Sequence, residues 1–409
     1  VGISPYLAGW IYALGIAWDA VTDPFMGYLA ERTSSPRGRY RPYILFGTIP
    51  LALSFVLLFW VPPLEGISLF LCLVVINVFH RTCFTIVSVP YSSLTPRITS
   101  DSEERTKLTT ARMIGASFGT LLMSSLGFPI INFFGQNDES LGIIYLSFIS
   151  ASIAVVILYF TYWSVKESST EEIKETYPSV SKLILSILKN YPFWIVFSSI
   201  LILGSTTIMF NKNLIYYIKY ALDLHSYQGL VLGLSGLSSF ASIPFWSYVS
   251  LKIGKRNTWQ ISMSLLLLAF ALFYFYQINS LQELIIIVCL IGLASGAGGV
   301  LFWSMLPDTI EYGEWKSGIR SESSLYGFMT FAQKSSIAVA ALVLGLLLTF
   351  INFSPNEIQT PETLTGLKNI MSLIPASGIA ISIFLMYFYP INSEYHKELL
   401  INIEARKNG

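Results

Sequence analysis

The chain has 409 residues, of which 53% are hydrophobic and 12% charged, with a formal net charge of +1. Its mean hydropathy is +0.61. A soluble domain carries about a quarter charged residues, so this composition excludes one and indicates an integral membrane protein. The near-neutral charge gives no sign of polyanion binding, and nucleic acid is not an expected partner.

Apolar runs of about 20 residues, the length that crosses a bilayer as a helix, recur eleven times. They lie roughly at 7–30, 42–63, 67–94, 109–134, 142–165, 192–220, 226–251, 258–277, 283–306, 323–351 and 368–390. Continuous runs exclude a transmembrane β-barrel, whose strands alternate, so the expected fold class is an all-α membrane protein. The first run contains Trp18-Asp19-Ala20-Val21-Thr22-Asp23-Pro24. A carboxylate at mid-bilayer costs roughly 2.5–3.5 kcal/mol on insertion scales. Four residues is about one helical turn, so Asp19 and Asp23 share a face and repel unless a cation or a shared proton neutralises them. The pair reads as a cation site; the alternative is two structural acids salt-bridged to neighbouring helices.

In the third run, Asn77, Arg81, Thr85, Ser88 and Ser92 step by four, four, three and four, one polar stripe turned to a cavity. Arg81 reads either as a counter-ion for Asp19 and Asp23 or as a ligand for an anionic group of a substrate. His80, its neighbour, points elsewhere, either packing or relaying protons. The sixth run carries Asn211, Lys212, Asn213, Tyr216 and Tyr217, which line a cavity or mark the outer interface. Small residues Ala294-Ser295-Gly296-Ala297-Gly298-Gly299 in the ninth run allow close packing or bending. The tenth places Tyr326, Thr330 and Lys334 on one face. The three cysteines, Cys72, Cys83 and Cys289, lie in apolar runs without metal-ligand or disulfide spacing.

Basic residues collect on one side of the expected layer: Arg32, Arg37, Arg39, Arg41, Arg97, Arg105, Lys107, Lys166, Lys174, Lys182, Lys189, Lys252, Lys255, Arg256, Lys316, Arg320 and the tail's Lys397, Arg406 and Lys407. The opposite connections carry no Lys or Arg, which makes the basic side, with the C-terminus, cytoplasmic. Pro24-Phe25-Met26-Gly27-Tyr28 resembles Pro244-Phe245-Trp246-Ser247-Tyr248, and Tyr91–Pro96 resembles Phe302–Pro307, about half the chain away. Such repeats mark transporters built from two halves. The expected organisation is an N-terminal bundle at 1–165, a cytoplasmic central loop at 166–191, a C-terminal bundle at 192–395 and a cytoplasmic tail at 396–409. Val180–Leu188 is amphipathic and suits the membrane surface. Five spans against six, and an opening residue on the outer side, imply that one helix precedes the sequence.

On these motifs the chain is similar to the major facilitator superfamily, and more closely to the glycoside–pentoside–hexuronide:cation symporters of the melibiose permease family. The carriers are Trp18–Pro24 with Arg37-Gly38-Arg39-Tyr40-Arg41-Pro42, and Asp308-Thr309-Ile310-Glu311-Tyr312-Gly313-Glu314 followed by Lys334. The resemblance implies a two-bundle fold of six plus six helices, eleven of them in this sequence. It implies that Asp19, Asp23, Thr22 and Thr85 bind Na⁺ or H⁺, with Li⁺ as a variant, and that no other cofactor is needed. Thr22 stands where the family has asparagine. Lys334 approaches the site from the other half; Arg112 and Thr330 match residues near the sugar cavity. The candidate substrate ligands are therefore Arg81, Ser88, Arg112, Thr330 and Lys334. Ser88 replaces a sugar-binding aspartate and Ser92 an aromatic, so the cation apparatus carries over while the galactoside-reading residues do not. The superfamily's inner salt-bridge networks would fall on Arg37–Arg41, Asp101–Arg105 and Asp308–Arg320, read as loops; solvated loops are the alternative.

The expected function is symport of a sugar, glycoside or related small solute coupled to a cation, by alternating access in a cell membrane, by a monomer and not by an enzyme. The alternatives are an organic anion, motivated by Arg81, Arg112, Lys212 and Lys334, or a lipid-like solute. An integral-membrane enzyme using the aspartates as acid and base lacks any nucleotide loop, metal cluster or nucleophile–histidine set. A non-transporting remnant is the last alternative.

Overall fold

The computed structural model describes residues 5–99, 101–136, 138–167, 179–354 and 357–408. Lys174, with the rest of 168–178 in the central loop, lies outside them. Fourteen helices follow in order: α1 (Pro5–Glu31), α2 (Arg41–Leu57), α3 (Gly66–Ser93), α4 (Thr95–Ile98), α5 (Ser102–Gly135), α6 (Glu139–Ser164), α7 (Val180–Leu188), α8 (Tyr191–Tyr220), α9 (Gln228–Ile253), α10 (Lys255–Phe275), α11 (Leu281–Ser317), α12 (Glu322–Phe350), α13 (Pro361–Tyr387) and α14 (Ser393–Asn408). No strand occurs among the described residues. Each expected span overlaps one helix, and among the described residues eight of these are long and apolar enough to cross a membrane; α1 and α5 are not among the eight, and α2 is shorter, at 17 residues. Protein and lipid together satisfy such helices: every backbone hydrogen bond closes within the segment, and large side chains such as Ile67, Phe275 and Phe350 stay exposed.

Local chemistry fixes the helix ends. Asp138, Asn190, Ser280 and Thr360 each accept the backbone N–H three residues on, capping α6, α8, α11 and α13. The α2 terminus uses a distant carboxylate, with Glu167 accepting from the N–H groups of Arg39, Tyr40 and Arg41 at 2.8, 2.8 and 3.0 Å. At the end of α11, Gly318 adopts φ +73° and donates to the Glu314 carbonyl.

That ending corrects the loop reading of Asp308–Arg320. Helix α11 runs on through Asp308, Glu311 and Glu314, all buried, because each acid meets a cation and no charge needs open water. Likewise Ser102–Arg105 forms the first turn of α5 and not a loop. The two sequence repeats diverge here: the chain breaks at Leu94 after α3, whereas α11 continues past its matching Pro307.

The residues form two compact units. The first comprises Val1–Asp101, Gly115–Ile184 and Ser321–Lys334; the second comprises Ser102–Ile114, Leu185–Arg320 and Ser335–Gly409. Relative to bundles at 1–165 and 192–395, two segments are exchanged, the starts of α5 and α12. In the first unit α1 packs on α3, and α2 on α3 and α6, around Met26, Ala30, Tyr40, Ile44, Val89 and Leu94. In the second, α9 packs on α11, α8 on α13, and α10 on both α11 and α13.

Candidate functional site

The first unit brings together Asp19 and Asp23 of α1, Arg81 and Thr85 of α3, and Lys334 of α12. Both carboxylates are fully buried. Lys334 Nζ lies 2.9 Å from Asp23 Oδ1 and 3.2 Å from Asp19 Oδ1. Thr85 Oγ1 donates to Asp23 Oδ1 at 2.6 Å and stands 3.4 Å from Lys334 Nζ. Arg81 donates to Asp19 Oδ2, and its Nε to Asn77 Oδ1 at 3.0 Å. In this structure Arg81 is thus a counter-ion of the aspartate pair. Two acids face two bases, so the cluster is neutral as it stands. Asp23 Oδ2, however, is buried with no hydrogen-bond partner among the described residues. Such an orphaned carboxylate oxygen is costly. A hard cation would be satisfied by the carboxylate and hydroxyl oxygens gathered here.

Glycines make the cluster possible. A Cβ at Gly15 would strike the Arg81 side chain, one at Gly27 the Ser323 carbonyl, and one at Gly327 the Asp23 carbonyl. The start of α12 therefore lies backbone to backbone on α1, which puts Lys334 within reach of both acids. The only sequence signal for this contact is Ser323-x-x-x-Gly327, a small-xxx-small pattern. Pro24, directly after Asp23, removes the N–H that would bond the Ala20 carbonyl and loosens α1 beside the site.

The other candidates sit apart from this cluster. Thr22 Oγ1 donates to its own helix at the Trp18 carbonyl, 3.1 Å away, and Thr330 Oγ1 to the Tyr326 carbonyl at 3.0 Å. Ser88 lies one turn beyond Thr85, its hydroxyl buried without a hydrogen-bond partner among the described residues. Arg112 belongs to the second unit, its guanidinium 4.2 Å from the Trp303 ring centre. His80 turns to α2, 3.1 Å from Ser54 Oγ and beside Phe55, a packing role.

A second buried charge cluster, in the second unit, was not foreseen as a whole. Arg105 meets Glu311 at 2.6 Å and Lys255 meets Asp308 at 2.7 Å. Ser102 donates to Asp308 Oδ1 at 3.3 Å. His396 of α14 bonds Glu311 Oε2 at 2.5 Å and lies 3.7 Å from Asp308 Oδ1. Burial pushes the His396 pKa down, but the Asp308 and Glu311 carboxylates outweigh it and hold the imidazole above its ordinary value. No spacing in the sequence announces His396, because its partners lie on a helix in another stretch of chain.

Eight helices long and apolar enough to cross a membrane among the described residues, a buried pair of acids on α1 and a chain in two compact units describe a membrane carrier. The family described as MFS/sugar transport protein matches residues 1–393, and the chain belongs to it. The "Glucuronide carrier protein homolog" of Escherichia coli (strain K12) is 27% identical over 99% of this chain and 89% of its own length. The "Isoprimeverose transporter" of Lactiplantibacillus pentosus is 26% identical over 99% and 85%. Among solved structures, the E. coli fucose:proton symporter has a TM-score of 0.69 at 14% identity, covering 95% of this chain and 92% of its own. A bacterial homologue of the iron transporter ferroportin, outward-facing, gives 0.67 at 13% identity over 94% and 90%. The fold is that of the major facilitator superfamily, and the chain is a multi-pass membrane transporter of the sugar type and not an enzyme.

Proposed function

We propose that this transporter is a symporter that couples the gradient of Na⁺ or H⁺ to uptake of a sugar or glycoside. The observation that carries this reading is the Asp19–Asp23 pair, fully buried, tied by shared contacts to Lys334 and Arg81, with Asp23 Oδ2 left over. Balanced by two bases, the pair can accept a cation only if one base withdraws; Lys334, which serves both acids, is the one placed to do so. Protonation of Asp23 would release the lysine in the same way. Cation arrival and lysine release then become one equilibrium, and a substrate favoured by either state is coupled to the ion reciprocally. Asp19, Asp23 and Thr85 are the cation ligands in this reading, with Thr22 an outer candidate. Arg81, Ser88, Arg112, Thr330 and Lys334 are candidates for the substrate path.

The names of the relatives support the substrate class: a glucuronide carrier protein homolog and an isoprimeverose transporter. We place the two bundles at 1–165 and 192–395, joined by a cytoplasmic loop, with the C-terminus cytoplasmic by the basic asymmetry and alternating access by a monomer. The test is uptake of radiolabelled glycosides and sugar acids into vesicles, with and without a Na⁺ or pH gradient, for the wild type, Asp19→Asn and Asp23→Asn. Accumulation that needs the gradient and both carboxylates supports the reading. Accumulation that survives both substitutions sinks it.

A further inference from the structure

The second unit contains a cavity of about 370 Å³ that belongs to neither charge cluster. That volume is at the lower end of ligand pockets, roughly 300–1,000 Å³. Its floor is apolar and buried, built from Leu266 and Phe270 of α10 with Ile291 and Ile379. Its polar side is made by Thr207 and Asn211 of α8 and by Ser235 and Ser239 of α9. The hydroxyls of Thr207, Ser235 and Ser239 and the amide of Asn211 make no hydrogen bond among the described residues. The neighbouring Asn213 is committed, its amide donating to the Leu367 carbonyl at 2.8 Å. No residue lining the cavity carries a charge.

The cavity is held open by the backbone. Gly292 and Gly296 of α11 press against the α9 backbone at Ser235 and Ser239, so these helices cannot close further. A Cβ at Gly236, which lines the cavity, would meet nothing within 4 Å. An apolar floor with a one-sided set of uncommitted donors and acceptors matches one chemistry. A sugar ring buries its C–H face on the floor and bonds its hydroxyls to the rim, and a charged group would be desolvated without a partner.

We propose that this cavity is a binding site for an uncharged, hydroxylated ring of monosaccharide size, read by Thr207, Asn211, Ser235 and Ser239. It serves as the substrate's docking point within the second unit, and in that respect it rests on the transport reading above. It assigns the neutral sugar moiety, and not an acidic one, to this half of the protein.

The test is equilibrium binding to the full chain in lipid nanodiscs, using tritiated methyl β-D-glucoside, methyl β-D-galactoside, xylose and methyl β-D-glucuronide as probes. Variants are Gly236→Leu, which fills the cavity, Asn211→Ala with Ser235→Ala, which strips its polar side, and Gly345→Leu, an open position outside it. Thermal melting checks that each folds. At least one neutral probe should bind, weakened about tenfold or more by Gly236→Leu and by the double variant, and unaffected by Gly345→Leu. Neutral-sugar binding that is unchanged in a folded Gly236→Leu protein overturns the proposal. So does binding of the glucuronide alone, of none of the probes, or of a co-purified phospholipid that Gly236→Leu displaces. Binding without gradient-driven accumulation would sink the symport reading and leave the cavity. Gradient-driven accumulation unchanged in Gly236→Leu would do the reverse.

Discussion

The first unit sets Asp19 and Asp23 against Arg81 and Lys334, and the second sets Asp308 and Glu311 against Arg105 and Lys255. The charges are the same, two acids and two bases, all deeply placed. Their acceptor atoms differ. In the second unit every carboxylate oxygen is taken: Glu311 by Arg105 and His396, Asp308 by Lys255, Ser102 and His396. In the first unit one lysine is shared between two acids, and Asp23 Oδ2 has no hydrogen-bond partner among the described residues. Asp308, Glu311 and His396 are spaced closely enough to hold a metal, yet a metal there would have to displace two bases already in contact. Saturation of acceptors, and not the number of acids, separates a cluster that can admit an ion from one that locks helices together.

The largest expected effect follows from the unsaturated side. Asp23→Asn removes the orphaned oxygen's charge and should reduce gradient-driven accumulation by about 100-fold, the upper range of ligand coupling. Its melting temperature should stay near that of the wild type, since Lys334 keeps Asp19. Vesicle uptake and thermal melting on the same preparation measure both. A protein that loses folding and transport together would show the first cluster to be as structural as the second.

On the saturated side the prediction inverts. Arg105 is fully buried against Glu311. Arg105→Ala leaves that acid with His396 as its one remaining basic partner among the described residues and should cost about 3–5 kcal/mol of stability. Pairing Arg105→Met with Glu311→Leu, which removes both charges at similar volume, should recover most of it. Chemical denaturation of the three proteins decides, and an Arg105→Ala protein of wild-type stability breaks the comparison.

The sequence exposed the acids of the first cluster because a carboxylate in an apolar run is anomalous whatever surrounds it. It exposed Arg81, Thr85 and Lys334 because helical spacing put polar residues on one face. It could not show that Arg81 would be spent on Asp19, or that Lys334 would bridge both acids, since those facts depend on which helices touch. The helices were legible from hydropathy, eight of them long and apolar enough to cross a membrane among the described residues, whereas the extent of α11 was not. Asp308, Glu311 and Glu314 look like loop charges until Arg105, Lys255 and Arg320 are seen beside them. The glycines at 15, 27 and 327 were silent for the same reason: a glycine reports close approach only when its neighbour is known.

Close approach at Gly327 gives an intermediate effect. Gly327→Ala places a methyl against the Asp23 backbone carbonyl, and rigid backbone cannot yield as a side chain would. The expected cost is about 1–3 kcal/mol, accompanied by weaker transport because Lys334 moves with its helix. Gly345→Ala, with open space around it, should be neutral or slightly stabilising. Equal melting temperatures for the two variants would deny the backbone contact that holds the first cluster together.

The smallest effect concerns His396, the one histidine of the saturated cluster. It faces Asp308 and Glu311 of α11, with Lys255 of α10 nearby and Arg105 of α5 on the same glutamate. Its folded-state pKa is raised above the ordinary histidine value of about 6.5. Its contribution is therefore complete below that pH and fades as pH rises through the folded value, when the imidazolium loses its proton. Helix α14 keeps other attachments, Arg406 donating to the Trp315 carbonyl at 3.2 Å and Tyr395 edge-on to the Trp315 ring. It should loosen and not detach. Hydrogen exchange of the α14 amides should quicken as pH rises above the ordinary histidine value, beyond the intrinsic base-catalysed rise, and His396→Gln should remove that excess. An excess that persists in His396→Gln would move the pH response to another group. An absent excess in the wild type would mean that Arg105 and Lys255 alone satisfy the two acids.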